Sequence, residues 1–406
     1  MRTFGPTVAG LTIDFGQITE RIPRGLVDAI LKETKRESLR IRKLPAYLMV
    51  YYEIALGLMN SGSARHVLRE LVADVRDEFP DPQAAIASRT AISNARQRLG
   101  AEPIRKLYEQ VVKPIAKRTT SGAWFGSRRL VALDGSSLHV KDSPGNRKEY
   151  GKAGAAKGKA SPLPLIRWVA LCELGTHVVF AARMAAWKVS ELALAKQLIH
   201  RLEPGMLCLA DRLFYGFPLW SQAVATGADL LWRVQKGVTL PPLKRLRDGS
   251  YLSQVRGRSN GPVAERRRSF PVRVIEFYVK VGRSRKHYRL ITTLLDPRKA
   301  PAKKLAELYA KRWGIETVIG EVKTYLKGPG TLRSELPELV EQDFYGLLLA
   351  HFGVRSIMHE AALQQRIPPT ELSFIHSVRV VIRRLPEMVS FSPLWWLSDA
   401  PSAAGG

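Results

Sequence analysis

The stretch RRLVALDGSSLHV, residues 128–140, decides the fold, because the apolar spacing of the chain changes there from a helical to a strand period. It predicts a buried strand that carries Asp134 in its middle. The apolar runs that follow predict a hairpin, a helix with Ser190 as its N-cap, a strand, a second helix and another strand. In that order they lie at residues 165–184, 190–202, 206–214, 219–227 and 228–234.

The resulting order of elements, β-β-β-α-β-α-β, is that of the ribonuclease-H-like fold, so the predicted fold class is α/β. Residues 236–296 break the alternation with strand-like runs separated by basic turns, which predicts a β-rich insertion in this core. The run LAELYAKRWGIETVIGEVKTYLKG, residues 305–328, then predicts one long helix beside the sheet.

Upstream of residue 120, apolar residues recur at helical spacing, which predicts an all-α N-terminal domain. Its run LPAYLMVYYEIALGLM, residues 44–59, is broadly apolar and predicts a buried helix. The predicted parts of the chain are the helical N-terminal domain at 1–120, the first part of the core at 121–235, the insertion at 236–296, the second part of the core at 297–360, and a C-terminal helix with a flexible tail at 361–406.

Composition narrows the choice of partner. The chain has 406 residues, with 64 Lys or Arg against 36 Asp or Glu, so its formal net charge is +28. At 45% hydrophobic residues it is a globular basic chain, which indicates a polyanionic partner such as nucleic acid. Cys172 and Cys208 lie in apolar runs and are expected to be buried reduced thiols. Without a membrane-spanning stretch or a signal-peptide pattern, we expect a cytoplasmic protein that acts on nucleic acid and has no membrane partner.

Three carboxylates are spaced so that this fold can bring them together. Asp134 interrupts one apolar strand and Asp211 ends another, and a buried carboxylate is costly unless it is paired or bound to a metal ion. Glu316, on the helix beside the sheet, supplies a third oxygen donor. Such a set suits Mg²⁺ or Mn²⁺, and two ions about 3.5–4 Å apart support phosphoryl transfer. Taken singly, each residue also fits a structural role as a turn, a solvated position or an ion pair with Arg312.

The helix with Glu316 carries further functional side chains on one stripe. Tyr309, Arg312 and Lys323 stand at −7, −4 and +7 from Glu316, offsets that are each close to a whole number of helical turns. The stripe therefore combines a phenol, a guanidinium, a carboxylate and an ammonium group, which suits a surface that faces a phosphodiester backbone.

These four residues fit Tyr-x2-Arg-x3-Glu-x6-Lys, the signature of the DDE transposases of the insertion-sequence-four family, which this chain resembles. The blocks DGS at 134–136 and DRLFY at 211–215 resemble the family's first and second Asp blocks, although Leu213 is bulkier than the small residue often found there. The resemblance covers about residues 20–390, including the run LRSELPELVEQDFYGLLLAHFGVR at 332–355.

The resemblance implies cut-and-paste DNA transposition on a ribonuclease-H-like catalytic core. Asp134, Asp211 and Glu316 would ligate two Mg²⁺ ions, for which Mn²⁺ can substitute, and water would attack a phosphodiester at the element end. The released 3′-hydroxyl would then attack the opposite strand or the target DNA. Tyr309, Arg312 and Lys323 would bind phosphates near the scissile bond.

The implied partners are double-stranded DNA, both element ends and target, and a second copy of the chain in a dimeric synaptic complex. The implied location is the bacterial cytoplasm, at the nucleoid. Sequence-specific binding to the terminal repeats is expected mainly from residues 1–120, and backbone contacts from the basic loop between Arg147 and Lys159. The loop lysines expected to contact DNA are Lys152, Lys157 and Lys159.

Two further residues have alternative roles. Arg212 either binds a phosphate or forms an internal ion pair that holds Asp211. Trp232 either stacks on a flipped base or packs in the core of its strand.

Other functions stay open at this stage. A structure-selective nuclease on the same fold would cut without joining, but it does not account for all four helix positions. A catalytically silent DNA-binding regulator or domesticated transposase would tolerate loss of one acid, whereas all three are present. A basic RNA-binding protein is disfavoured, because the chain has no aromatic sheet motif of an RNA-binding module.

Overall fold

The computed structural model describes residues 21–39, 44–59, 62–71, 87–154, 161–257, 268–281 and 284–383. They form a mixed α/β structure with one ten-stranded mixed sheet and divide into two compact units. The sheet unit comprises Val112–Lys323 and Ile367–Glu371. The helical unit lies within Met1–Val111, Thr324–Arg366 and Leu372–Gly406.

The strands of the sheet unit are numbered in chain order. They are β1 (Trp124–Phe125), β2 (Arg128–His139), β3 (Leu165–Glu173), β4 (Val178–Ala186), β5 (Met206–Ala210), β6 (Asp229–Arg233), β7 (Lys244–Arg245), β8 (Tyr251–Arg256), β9 (Ser269–Val281) and β10 (Ser284–Thr292).

The helices are numbered in the same way. They are α1 (Arg24–Glu33), α2 (Ala46–Leu58), α3 (Ala64–Leu71), α4 (Arg89–Leu99), α5 (Glu102–Val111), α6 (Pro144–Tyr150), α7 (Glu191–Leu198), α8 (Phe217–Ala225), α9 (Ala302–Ala310), α10 (Gly314–Gly320), α11 (Pro337–Gln365) and α12 (Phe374–Arg383).

β2 is central to the part of the sheet that the sequence predicted first. It pairs antiparallel with β3, which pairs antiparallel with β4, as the predicted hairpin requires. On its other side β2 pairs parallel with β5, and β5 pairs parallel with β6. The helices α7 and α8 follow β4 and β5, and each returns the chain so that the next strand is parallel. All five residues of β5 are buried, which explains its continuous apolar sequence.

The strands of residues 236–296 extend this sheet. β10 pairs antiparallel with β6, and β9, β8 and β7 follow it in antiparallel order. The long hairpin of β9 and β10 therefore continues the sheet directly beside β6, the last parallel strand.

Local signals place the helices of the sheet unit. Ser190 caps α7 as predicted, since its hydroxyl accepts a hydrogen bond from the backbone N–H of Ala193 at 3.2 Å. The turn after α8 includes Gly227 with a φ of 79°, a conformation that glycine adopts without strain.

The prediction of a basic loop from Arg147 is wrong for residues 147–150, which belong to α6. Ser143 accepts a hydrogen bond from the N–H of Asn146 at 3.1 Å, and Pro144 follows it at the start of the helix. This pair is a strong helix-start signal, and burial of Tyr150 fixes the short helix against the sheet unit. The prediction missed this signal because the residues that follow are rich in glycine and lysine, which favour a loop.

The helical unit is organised around α2, which is buried on nearly all sides, as its apolar sequence predicted. Its neighbour α11 crosses it with glycine at the contact on both helices. A Cβ on Gly57 would lie 2.8 Å from the carbonyl oxygen of Gly346, and one on Gly346 would lie 2.6 Å from the carbonyl oxygen of Glu53. Only glycine permits so close an approach of the two backbones.

A buried ion cluster, formed by Glu53, Arg96 and Asp343, joins α2, α4 and α11. The guanidinium of Arg96 donates to both carboxylate oxygens of Glu53 at 2.6 and 3.0 Å, and to Asp343 at 2.7 Å. Burial lowers the pKa of Arg96, but the two carboxylates outweigh burial and raise it, so the guanidinium stays charged. Ser334 donates its backbone N–H to Asp343 at 3.0 Å, which closes the cluster.

Cys172 and Cys208 are buried free thiols, as predicted. Within the ranges described above, no helix is both long and apolar enough to cross a membrane.

Candidate active site

Two of the predicted acids follow adjacent parallel strands at the point where those strands separate. The register of β2 and β5 ends at the pair of Leu133 and Ala210, and the next residues are Asp134 and Asp211. β2 continues to His139 against β3, whereas β5 stops at Ala210. The sheet topology therefore places both aspartates at one edge of the parallel strands.

Asp134 is half-buried and hydrogen-bonded on both oxygens. Its Oδ1 accepts from the backbone N–H of Gly135 at 2.8 Å, and its Oδ2 accepts from Nη1 of Arg312 at 3.0 Å. Burial raises the pKa of Asp134, and these two hydrogen bonds oppose that rise. The negative charge of Glu316 adds to the rise. A cation near this carboxylate therefore favours its ionised form.

Asp211 lies between the side chains of Tyr309, from α9, and Arg233, from β6. The hydroxyl of Tyr309 is 3.5 Å from Asp211 Oδ1 and 3.3 Å from the carbonyl oxygen of Ala210. Arg233 Nη1 is 3.6 Å from the same Oδ1. Burial raises the pKa of Tyr309, so its hydroxyl remains protonated and acts as a donor.

The helical run with Tyr309 and Glu316 is less regular than predicted. α9 passes into a 3₁₀ turn at Lys311–Trp313, then into α10, and then into a π-helical segment at Glu321–Leu326. Such changes of helical period alter which way a side chain faces, and they recur at functional sites. The predicted single helix is thus a chain of four helical segments.

Arg312 is the centre of the site. Its side chain is 7% exposed, and it donates to Asp134 and, through Nη2, to Glu316 Oε1 at 3.3 Å. Burial lowers the pKa of Arg312, but the charges of Asp134, Asp211, Glu316 and the nearby Tyr309 outweigh burial and raise it. All three candidate acids therefore act on one guanidinium, while Glu316 itself is 59% exposed.

Lys323 reaches the same region from the π-helical segment. Its Nζ donates to the hydroxyl of Ser136 at 3.0 Å. Ser136 lies two positions beyond Asp134 on β2, so its side chain points to the same face of the strand. All four members of the predicted helix stripe thus contact, or act electrostatically on, residues at or just beyond the last register pair of β2 and β5.

The three acids offer the oxygen donors that a hard divalent cation prefers. Among the described residues, no three His, Cys, Asp or Glu side chains are already grouped as a metal site. The guanidinium of Arg312 lies between Asp134 and Glu316 and supplies the positive charge in this arrangement. By donor chemistry the set fits a metal ion.

Comparison with known proteins identifies the family. Residues 125–352 match the family Transposase DDE domain, and residues 12–109 match the family Insertion element 4 transposase N-terminal. The chain belongs to the insertion element 4 family of DDE transposases. It is therefore a DNA-cleaving and strand-transferring enzyme.

Several known transposases are similar to this chain. Transposase InsG for insertion sequence element IS4, from Escherichia coli (strain K12), is 30% identical over 375 residues, which are 91% of this transposase and 82% of InsG. Putative transposase InsZ of the same strain is 27% identical over 214 residues, 52% of this chain and 69% of InsZ. The cryo-EM structure of the piggyBac transposase synaptic complex with hairpin DNA superposes with a TM-score of 0.46 at 12% identity, over 96% of this chain and 82% of that one.

The other predicted contact residues of the transposase fall in different places. Arg212 is exposed, and the ion pair that holds Asp211 is made by Arg233 instead. Lys152 donates to the carbonyl oxygen of Pro162 at 2.6 Å and lies 3.5 Å from Asp142. Lys157 and Lys159 lie outside the described residues.

Trp232 is 0% exposed, and its ring packs edge-on against Trp220 with 5.3 Å between centroids. With the side chain fully buried, neither face of the indole is open to a base. Of its two predicted roles, packing in the strand is the one that this structure accommodates.

Two residues near the site were missed by the sequence reasoning. Arg233 follows the register pair of Ala210 and Trp232, so it ends β6 beside Asp211, and the strand-end argument used for the aspartates could have found it.

The second residue is Glu191, the first of α7, which packs on Gly135. A Cβ on Gly135 would lie 2.7 Å from Glu191 Cδ. Burial raises the pKa of Glu191, Arg167 lowers it and the charge of Asp134 raises it. No local sequence signal linked Glu191 to Asp134.

Proposed function

We propose that this transposase binds the terminal inverted repeats of its insertion element, cleaves the element ends and joins them to target DNA by two-metal phosphoryl transfer. The observation that carries the proposal is the placement of Asp134 and Asp211 just beyond the last register pair of two parallel strands, with Glu316 linked to Asp134 through Arg312. We assign these three acids as the catalytic and metal-binding residues, on a ribonuclease-H-like core.

The roles of the other side chains follow from their chemistry. Two bound Mg²⁺ or Mn²⁺ ions would supply an activated nucleophile and stabilise the leaving oxygen. Tyr309 keeps its proton and donates a hydrogen bond, Arg312 can bind a phosphate with two parallel N–H groups, and Lys323 adds a compact positive charge. These three groups would fix the scissile phosphate against the acids, and positioning of this kind lowers the barrier to reaction.

Arg312 is expected to have different partners in the free protein and in the DNA complex. In the structure its guanidinium neutralises Asp134 and Glu316. A phosphate is a competing acceptor of the same geometry. We infer that Arg312 leaves the carboxylates for the DNA backbone when substrate binds, which frees their oxygens at the moment when the phosphodiester arrives.

The remaining parts of the proposal concern partners. The net charge of +28 supports a polyanion such as duplex DNA, with exposed Arg212 and the basic segment after α6 as backbone contacts. Joining two element ends requires two active sites, so we propose a homodimer in a synaptic complex. The DNA substrate would place the protein at the nucleoid in the cytoplasm.

A cleavage and strand-transfer assay tests the proposal. The purified chain is incubated with its own element-end DNA and Mg²⁺, beside the variants Glu316→Gln and Glu307→Gln. Glu307 is an exposed acid of α9 in the same helical run, so it controls for the loss of one negative charge. We expect wild type and Glu307→Gln to give 3′-end cuts and joined products, and Glu316→Gln to bind the ends without cutting.

The alternative, a catalytically silent DNA-binding regulator, predicts a different result. In that case wild type and Glu316→Gln bind the ends equally and neither cuts in Mg²⁺ or Mn²⁺. Cutting by Glu316→Gln at the wild-type rate would remove Glu316 from the catalytic set.

A further inference from the structure

One half of α4 is a continuous face of hydrogen-bonding side chains. The opposite half packs into the helical unit through Ile92, Ala95, Arg96 and Leu99. The side chains of the outer half are the exposed Arg89, Thr90, Asn94, Gln97 and Arg98, and the half-buried Ser93.

The arrangement on this face is ordered. At about 100° per residue, Arg89 and Arg98 point roughly 180° apart and form the two edges of the face. Thr90, Asn94 and Gln97 project between them, and Ser93 lies 3.4 Å from Gln97. Positive charge therefore flanks a centre of neutral donors and acceptors.

The charge of α4 distinguishes it from its neighbours. Among the described helices of the helical unit, only α4 and α12 carry no Asp or Glu. Both helices expose cations, but α4 exposes no large apolar side chain, whereas α12 exposes Ile375 among His376, Arg379 and Arg383. A solvated surface helix commonly mixes both signs of charge, so the lack of acid on α4 indicates a polyanionic partner.

α4 is also held rigidly. Ser88 caps its first turn by accepting from the N–H of Ala91 at 3.1 Å. Its inner residue Arg96 belongs to the buried ion cluster, and the carbonyl oxygen of Arg96 accepts from Gln342 at 2.8 Å. From outside the helix, the guanidinium of Arg36 donates to the carbonyl oxygen of Arg98 at 3.1 Å. A reading surface needs this kind of fixed support.

We propose that α4 is the base-reading helix of this transposase and lies in the major groove of duplex DNA. Asn94 and Gln97 contact base edges, because a side-chain amide matches adenine with two hydrogen bonds. Arg89 and Arg98 contact the phosphates on the two sides of the groove and set the register. The proposal rests on the proposed function only in taking DNA as the partner. A-form RNA is not the occupant, since its major groove is too narrow for a helix.

A selection from a pool of short DNA duplexes of randomised sequence tests this proposal. The full-length chain is used to enrich bound duplexes, which are then sequenced. We expect wild type to enrich a motif, and Asn94→Ala and Gln97→Ala each to lose about 10-fold of the preference at neighbouring base pairs of that motif. Gln364→Ala, which removes an exposed amide from α11, is the matched control and should enrich the wild-type motif.

Two further variants separate the recognition of bases from the general attraction to the DNA backbone. Arg98→Ala should weaken binding to all duplexes alike and reduce the salt dependence, as expected for a phosphate contact. Asn94→Arg should change the preferred base at its position from adenine toward guanine, which no general loss of stability would do. Thermal melting of each variant checks that the fold is retained.

The outcomes are separable from those of the cleavage assay. An unchanged motif with both amide variants, or no motif with wild type, overturns the reading role of α4 even if the enzyme cuts DNA. A motif that depends on Asn94 and Gln97 sustains it even if the chain proves unable to cut.

Discussion

Arg312 acts as the counter-charge for the candidate acids, and this has a consequence for metal binding. Removing the guanidinium in Arg312→Ala leaves Asp134 and Glu316 without the cation that they contact. We expect Mn²⁺ to bind this variant more tightly than wild type in the absence of DNA, since the cation no longer competes with Arg312. We also expect cleavage to fall about 100-fold or more, because a phosphate-binding group is lost.

Isothermal titration with Mn²⁺ and a cleavage assay measure the two effects. Lys311→Ala is the control, because Lys311 is an exposed cation one residue away. Equal Mn²⁺ affinity in wild type and Arg312→Ala would show that the guanidinium does not neutralise the site.

Glu191 and Gly135 offer a second test at the residue scale. A methyl group at residue 135 would collide with the flexible end of Glu191, so Gly135→Ala should displace the carboxylate at little cost in stability. The carboxylate adds negative potential beside Asp134, and its loss should lower cleavage by about 10–100-fold. The variants Gly135→Ala and Glu191→Gln should then be non-additive, with the double variant no worse than either single variant.

Cleavage rates and melting temperatures of the two single variants and the double variant, each compared with wild type, form a double-mutant cycle. Glu203→Gln, which removes an exposed negative charge, is the control. Additive losses would mean that the two residues act independently.

At this scale the sequence predicts positions better than surroundings. Strand periodicity and spacing along one helical run led to Asp134, Asp211 and Glu316, and their role as the catalytic acids stays a prediction. Glu191 comes close to Asp134 through the packing of α7 on β2, which no short-range pattern encodes, whereas the end of β6 could have pointed to Arg233. The sequence also left two roles open for Trp232, and only its burial decides between them.

At the scale of elements, Asp248 anchors the start of α9 and so the helical run that carries Tyr309. Its carboxylate accepts from the N–H of Ala302 at 2.9 Å, from the buried Arg273 at 2.9 Å and from the hydroxyl of Ser250 at 2.5 Å. Burial opposes ionisation of Asp248, but these hydrogen bonds and the charge of Arg273 outweigh it and lower its pKa.

This lowered pKa makes a pH-dependent contribution to stability. The folded-state pKa lies below that of the unfolded chain, so the contribution is complete above the unfolded value of about 3.9 and is lost as the pH falls through the folded value. We expect Asp248→Asn to lower the free energy of unfolding by roughly 1–2 kcal/mol at pH 7 and by less in acid. Melting curves of both proteins over this pH range measure it, and a constant difference between them would contradict the mechanism.

Elements were predicted where periodicity is strong and missed where it is interrupted. The five core strands followed from apolar runs, whereas α6 was hidden by the surrounding glycine and lysine residues. The breaks within the run from α9 to Leu326 have no composition signal, because 3₁₀ and π segments use the same residues as an α-helix. Pairing of β10 with β6 is a long-range contact that the predicted insertion did not specify.

At the scale of the whole molecule, the close crossing of α2 and α11 is expected to stabilise the helical unit, and substitutions at its glycines test this. Gly346→Ala would place a methyl group 2.6 Å from a backbone oxygen that cannot move alone. We expect the free energy of unfolding to fall by about 2–3 kcal/mol. Gly25→Ala in α1 is the control, because nothing lies within 4 Å of the added carbon, and alanine should stabilise that helix by about 0.5–1 kcal/mol.

Chemical denaturation of both variants gives the comparison. If Gly346→Ala were as stable as wild type, the two helices would not approach as closely as described. The sequence could not predict the crossing of α2 and α11, because the two helices are far apart along the chain. The predicted domain borders, such as the one at residue 360, stay predictions.

The buried ion cluster has a consequence for how the protein is made. Arg96 and Asp343 are 247 positions apart, so a ribosome releases α2 and α4 long before it completes α11. During that interval the nascent helices expose the apolar surface of α2 and lack one of the two carboxylates that neutralise Arg96. A copy of the gene with a premature stop codon would yield an amino-terminal fragment that cannot close its core. We expect chaperones and proteases to recognise such a fragment, because the apolar surface of α2 that packs on α11 stays exposed.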